Sequence, residues 1–287
     1  MKTIWSEIKS DKLAFFCLFF FVSIVVVIFV WAALIDLDYV NRVNLRARDL
    51  SPRVGFPLGT DPLGRSVLPL LVVGARNSLV IAFTVAFFSS VIGIVVGLFA
   101  GFYGGRFDNL LMRLIDFFTM LPTFMVIMML LTVMGGTIFS MTAVFIVFGW
   151  IGTARLTRMV TLQQSALEYV KASKTLGTPN IIIIFREILP NIISFIVINL
   201  TLTIAGTIGI ETGLTMLGFG LPLTTPSLGH LISWAMNPLS MQMHPWQWLP
   251  SALFILIMVL CINYVGQALN RAADVKRRRS GTAAFRR

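Results

Sequence analysis

The chain has 287 residues, of which 57% are hydrophobic and only 12% charged, with a mean hydropathy of +0.88. A water-soluble domain carries about 25% charged residues. A chain this apolar lacks the polar surface to face water, which leaves lipid as its solvent. The 23 Lys and Arg against 12 Asp and Glu cluster at the ends of apolar runs, seven of them from Arg271 onward. That pattern reads as membrane topology rather than a nucleic-acid surface. Cys17 and Cys261 both fall inside apolar runs and read as small buried hydrophobes, offering neither a disulfide framework nor a zinc site.

A crossing helix needs about 20 apolar residues, and a central Lys, Arg or Asp costs about 2.5–3.5 kcal/mol on insertion scales. Gaps between charges therefore locate the spans. Leu13 to Ile35 is the first, and Asn77 to Gly105 the second. The window from Asp116 to Arg155 is too long for one helix and is cut by Gly135-Gly136, giving spans near 113–134 and 137–156 joined by a tight turn. Ile188 to Ile210 is the fifth. The uncharged stretch after Glu211 is broken by Gly213, Gly218, Gly220, Pro222, Pro226, Gly229, Pro238 and Pro245, so 213–247 reads as an outer loop with a short helix. The sixth span is 248–271. The expected fold is an all-α membrane protein of six transmembrane helices. Its parts are an anchor helix with outer loop (1–76), a core (77–274) and a basic tail (275–287).

Six spans place both termini on one side. With that side cytoplasmic, 17 of the 23 cations lie inside, and the outer six (Arg42, Arg46, Arg48, Arg53, Arg65 and Arg76) all sit in the first loop. The first apolar run exceeds the 7–15 residues of a secretory signal and no small-residue cleavage site follows, so an uncleaved anchor is expected. The tail from Lys276 reads as a basic anchor to anionic lipid.

Between the fourth and fifth spans, Arg155 to Glu187 carries its own helix signals. Ser165-Ala166-Leu167-Glu168 fits a capping box. Gly177 supplies a stop with Pro179 two residues beyond, so a helix over about 166–176 is expected outside the bilayer. Tyr169, Ala172, Ser173 and Leu176 share one face at i, i+3, i+4, i+7 spacing, with Lys171 and Lys174 directed elsewhere. A small-residue centre between Tyr and Leu suits a knob entering a cleft on another protein; a helix resting on lipid head groups has the same periodicity.

Other motifs carry less. Gly59-Thr60-Asp61-Pro62-Leu63-Gly64-Arg65-Ser66 is one residue from a nucleotide phosphate loop, with Arg in place of Lys. It contains a proline, follows no strand-like run and falls on the outer side, so a structural loop is preferred. His230 and His244 have no Cys, Asp or Glu between them, too few ligands for a metal. No nucleophile, acid or base constellation is present, so no catalytic residue is expected. Glu211, at the outer end of the fifth span, is either an interfacial cap or, with Met216 and Phe219 in the Gly-broken stretch after it, part of a substrate path.

Lys171-Ala172-Ser173-Lys174-Thr175-Leu176-Gly177, then Ile188-Leu189-Pro190, resembles the EAA loop of ATP-binding-cassette importer permeases, with Lys171 replacing the Glu and Ser173 the second Ala. Phe56 to Asp61, Gly64-Arg65 and Gly74 to Leu79 resemble the outer-loop signature of the dipeptide, oligopeptide and nickel permeases. Gly104 to Asp108 with Leu111-Met112-Arg113 and Asp116 resembles their second-to-third-span turn. Glu211 to Gly220 with Pro226 to Gly229 resembles the segment after their fifth span. The similarity runs from about Leu13 to Asp274 and is nearest to the second of the two permeases such importers pair. It implies a type I importer permease fold in a bacterial cytoplasmic membrane. It also implies a homologous second permease, one or two ATPase subunits holding ATP and Mg, an extracytoplasmic substrate-binding protein, and no cofactor or ATPase site in this chain. Glu168, Tyr169, Ala172, Ser173, Leu176 and Gly177 would then form the coupling helix that docks on an ATPase subunit. Peptide transport is the expected function, with nickel or metal-chelate import as the alternative on the same architecture. A secondary carrier or channel is the alternative of another class; it would call for ionisable residues in mid-span or an inverted repeat.

Overall fold

The computed structural model describes residues 12–284. Lys2, Lys9, Arg286 and Arg287, which enter the topology expectation, lie outside them. The elements in chain order are α1 (Lys12–Leu34), α2 (Leu37–Asn41), α3 (Val67–Tyr103), α4 (Gly105–Met120), α5 (Thr123–Met134), α6 (Ile138–Ser165), α7 (Glu168–Thr175), α8 (Asn180–Ile182), α9 (Leu189–Met216), α10 (Leu228–Ser233), α11 (Pro238–Met243) and α12 (Pro245–Ala284). A π-helical turn, Ile183–Ile188, joins α8 to α9. Among the described residues no strand forms, only two isolated bridges in the loop before α3.

Five helical stretches are long and apolar enough to cross a membrane: Phe15–Leu34, Val67–Tyr103, Ile138–Ser165, Asn180–Met216 and Pro245–Leu269. The expected third span is the exception. It is a pair, α4 and α5, bent by 78°. The cause is Pro122, which forces Leu121 into extended backbone (φ −74°, ψ 140°) and stops α4 there. Alone, the 12 residues of α5 reach only about 18 Å against a hydrocarbon core of about 30 Å. The turn at Gly135-Gly136 forms as expected, with Gly135 at φ +79° and Thr137 and Ser140 capping α6 reciprocally.

Several helices outrun their uncharged windows. The expected boundary between anchor and core, 76/77, falls inside α3, which starts at Val67, with Pro69 tolerated in its first turn. α6 continues nine residues past 156, and α12 runs through 275 to Ala284, so the basic tail is continuous with the last span. Charge marks where lipid ends, and a helix projecting into water has no reason to stop there.

The α3–α6 pair forms the axis of the molecule. On α3, Gly93, Gly97 and Gly101 lie four residues apart and face Thr153, Thr157 and Thr161 on α6. A Cβ on Gly97 would sit 2.6 Å from the Ala154 carbonyl oxygen and from Thr157 Cβ. In lipid there is no hydrophobic drive between helices, so backbones must approach closely for packing to hold them, and small residues permit that approach. Arg158 of α6 grips both carboxylate oxygens of Asp108 on α4, and Arg155 pairs with Asp116 at 2.8 Å, holding the elbow against the same helix.

Gly97→Leu should lower the thermal unfolding midpoint of the detergent-solubilised protein, since overpacking of this kind costs about 1–3 kcal/mol. Gly209→Ala, whose Cβ meets nothing within 4 Å, should leave the midpoint within a degree or two.

Candidate functional site

Three regions bear on function: the end of α6 that carries α7, a cavity between spans, and the cap over the opposite end of α3.

α7 is shorter than expected, and its start is built differently. α6 does not end until Ser165, whose hydroxyl donates back to Leu162 O at 3.0 Å. Only Ala166 and Leu167 separate the two helices, so the capping box does not form and Leu167 is the N-cap, without a side-chain bond. The stop is as expected. Gly177 adopts φ +80°, Thr178 N donates to Ser173 O (3.1 Å) and Gly177 N to Lys174 O (3.1 Å), the paired bonds of a Schellman motif.

The face expected to meet a partner is divided. Ala172 and Leu176 point outward, Leu176 at 84% exposure, together with Glu168 and Gly177. Tyr169 and Ser173 turn partly back to their own chain. Tyr169 OH donates to Gln164 Oε1 (3.2 Å) and accepts from Asn191 Nδ2 (3.1 Å). Ser173 Oγ donates to Glu187 Oε1 at 2.7 Å. Lys174, expected to point away, lies over the Phe102 ring with Nζ 4.2 Å from its centroid. The residue the sequence reading missed is Val170, fully buried against Leu98, Phe102, Ile183, Ile184, Ile188 and Ile192. α7 is therefore clamped to the ends of α3 and α9 by one apolar plug, and to the π turn before α9 by a serine–carboxylate bond. The π turn that presents Glu187 is a form often found at functional sites.

A cavity of about 240 Å³ opens between α3, α5, α6 and α9. Its lining is apolar and uncharged: Ile127, Phe145, Phe148 and Ile210 with the small residues Gly149 and Gly206. Thr123, Thr203 and Thr207 also face it, but their hydroxyls donate to backbone carbonyls of Leu121, Asn199 and Thr203. A Cβ on Gly206 would enter open space. None of these residues stood out in the sequence, because nothing charged marks them.

Glu211 is neither an interfacial cap nor part of that lining. α9 continues past it to Met216, and its carboxylate is fully buried, accepting from Ser78 Oγ at 2.8 Å and Thr215 Oγ1 at 3.1 Å. The partner Ser78 is 133 residues away in sequence, so spacing alone could not show it. Met216 is half-buried and Phe219 exposed, and neither lines the cavity.

Ser78 belongs to the lacing of the cap over the end of α3 remote from α7. Leu228 N donates to its hydroxyl (3.3 Å), Asn77 Nδ2 to Pro226 O (2.8 Å), and Ser251 Oγ to Leu228 O (2.9 Å). The sequence resembling a phosphate loop is part of this lacing. Asp61 and Arg65 form a buried ion pair at 2.8 Å, Leu63 N and Arg65 N donate to Asp61 Oδ1, and Arg65 Nη1 reaches Leu223 O at 3.1 Å. Three of the loop's donors, Leu63 N, Arg65 N and Arg65 Nε, are thus taken by its own aspartate. His230 is engaged on both ring nitrogens, Nδ1 accepting from Ser227 N (3.2 Å) and Nε2 donating to Leu221 O (2.8 Å). Burial, aided by the nearby Arg65 charge, holds its pKa below the ordinary histidine range, so it is a neutral strut.

Long apolar helices with a short helix projecting between two of them are the architecture of a polytopic membrane protein. The chain belongs to the family of binding-protein-dependent transport system inner membrane components, which it matches over residues 93–279. It is 41% identical over 95% of its length to the oligopeptide transport system permease protein OppC of Lactococcus lactis, covering 93% of that protein. It is also 34% identical to the dipeptide transport system permease protein DppC of Bacillus subtilis, covering 96% of this chain and 85% of that one. Among solved structures, the MetNI methionine ABC transporter in inward-facing conformations aligns with a TM-score of 0.59 at 20% identity, over 72% of this chain and 97% of its own. That likeness bears on the fold alone, which is the type I importer permease fold.

Glu187→Ala removes the acceptor that holds Ser173. A lost bond of about 1 kcal/mol should raise amide hydrogen exchange across 168–177 by about fivefold, with exchange in α3 unchanged.

Proposed function

We propose that this chain is one permease subunit of an ATP-binding-cassette importer for di- and oligopeptides. The observation that carries the reading is the 41% identity to an oligopeptide permease along nearly the whole chain. A homologous second permease would complete the path, and one or two partner ATPase subunits would bind ATP and Mg and hydrolyse the nucleotide. An extracytoplasmic binding protein would deliver the substrate. Both termini and α7 would face the cytoplasm, in keeping with the weight of Lys and Arg on that side.

In this reading the outward parts of α7, namely Glu168, Ala172, Leu176 and Gly177, enter a groove on the ATPase subunit. Tyr169 and Ser173 brace the helix from behind. Closure of the ATPase dimer would push α7, and because Val170 packs on the ends of α3 and α9 and Ser173 is bonded to Glu187 in the π turn before α9 the push would reach the spans as a rigid movement. The uncharged cavity suits a path for peptides of varied sequence: it offers neither a charge to trap nor a charge to repel them. Glu211, Met216 and Phe219 would act on the path through the cap rather than by contact in this conformation.

The double substitution Ala172→Arg with Gly177→Asp places a charge in the proposed interface and a side chain where φ is positive. ATP-dependent peptide uptake should fall at least about tenfold, while the complex still assembles with its second permease in a mild-detergent pull-down. Uptake at the level of the unaltered chain would remove α7 from the coupling role.

A further inference from the structure

At the end of α3 opposite the coupling helix, the loop before α3 encloses a second pocket of about 260 Å³. Its walls are Tyr39, Phe56 and Pro69, and its polar lining includes Arg42, Asn44 and Ser66. The only other charged group in the lining is Arg65, whose charge is spent on Asp61. Arg42 is exposed, and among the described residues its guanidinium has no carboxylate partner. Ser66 is the N-cap of α3 but makes no side-chain cap bond. Tyr39, Asn44 and Ser66 likewise make no side-chain hydrogen bond among the described residues. The pocket thus offers free hydroxyl, amide and guanidinium donors, aromatic and proline walls, and no carboxylate.

We infer that this pocket receives an acidic side chain of the extracytoplasmic substrate-binding protein, its carboxylate on Arg42 and Ser66 and its methylene stem between Tyr39, Phe56 and Pro69. The inference rests on the importer reading. A cation with free donors and no carboxylate in the lining of its pocket is complementary to a carboxylate. A passing peptide is a less suitable occupant. Pro69 and Val85, which lines the inter-span cavity, are 16 residues apart on α3, about 24 Å along the helix.

The test uses the complete transporter in nanodiscs with the system's peptide-loaded binding protein, reading the concentration that half-saturates stimulated ATP hydrolysis. Arg42→Glu should raise that concentration about tenfold, and Arg42→Lys much less. Arg46→Glu, the same charge change on an exposed residue outside the lining, should shift it under twofold. Raising the salt should weaken the unaltered protein more than Arg42→Glu. No shift in Arg42→Glu, or an equal shift in Arg46→Glu, would overturn the inference and leave the importer reading standing. A shift seen in anionic but not in phosphatidylcholine nanodiscs would assign the pocket to an anionic lipid headgroup and overturn it too. Should the binding protein fail to stimulate even the unaltered transporter, the importer reading itself falls, and this inference with it.

Discussion

The close approach of α3 and α6 is the constraint on which the rest depends. Gly93, Gly97 and Gly101 let the α3 backbone rest on Thr153, Thr157 and Thr161, where any side chain would push the helices apart. Lipid supplies no hydrophobic force to hold two apolar helices together, so the energy must come from dispersion at short range and from the few polar pairs that flank the contact. Arg158 with Asp108 and Arg155 with Asp116 continue that contact toward α7 and tie in the elbow of α4.

What makes the contact consequential is the length of α3. Its 37 residues extend about 55 Å, longer than the hydrocarbon core, so both ends project beyond it. One end is laced into the cap through Asn77 and Ser78; the other packs Phe102 against Val170 of α7. The two faces on which partners would act are therefore mounted on a single rod, stiffened by α6 along its length. Glu211 fits this scheme as a cap fastener: a carboxylate in the spans is costly, and here it is held by hydroxyls from α3 and from its own helix, linking α9 to the rod.

Much of this was legible in the sequence for a simple reason: lipid penalises charge, so uncharged windows mark spans. The windows for α1, α3, α6, α9 and α12 each contain a real helix. They do not give helix ends, as Val67 and Ser165 illustrate, because water tolerates helix as well as loop. Pro122 broke the third window, and its signal was present, since a proline with an extended residue before it is a local effect. Gly177 was readable for the same local reason. Val170 was hidden by its neighbours: between charged and polar residues a lone valine looks incidental, and only the fold shows the apolar cluster it fills. The pairing of Ser78 with Glu211, the cavity at Gly206 and the donor pocket at Arg42 all join residues distant in the chain or lacking a charge signature, and no spacing rule reaches them. The motif similar to the EAA loop located α7 correctly but not its division into an outward pair, Ala172 and Leu176, and a braced pair, Tyr169 and Ser173.

The central claim is that α7 is the handle by which a partner ATPase moves this chain. The most direct measurement is cross-linking from a single cysteine, Leu176→Cys, in a background of Cys17→Ser and Cys261→Ala, using native membranes and mass spectrometry of the product. The account predicts a cross-link to a Walker-motif ATPase subunit that forms at Leu176→Cys and not at Val170→Cys, which is buried. A cysteine at Leu176 that joins no such subunit while ATP-driven uptake continues would contradict it.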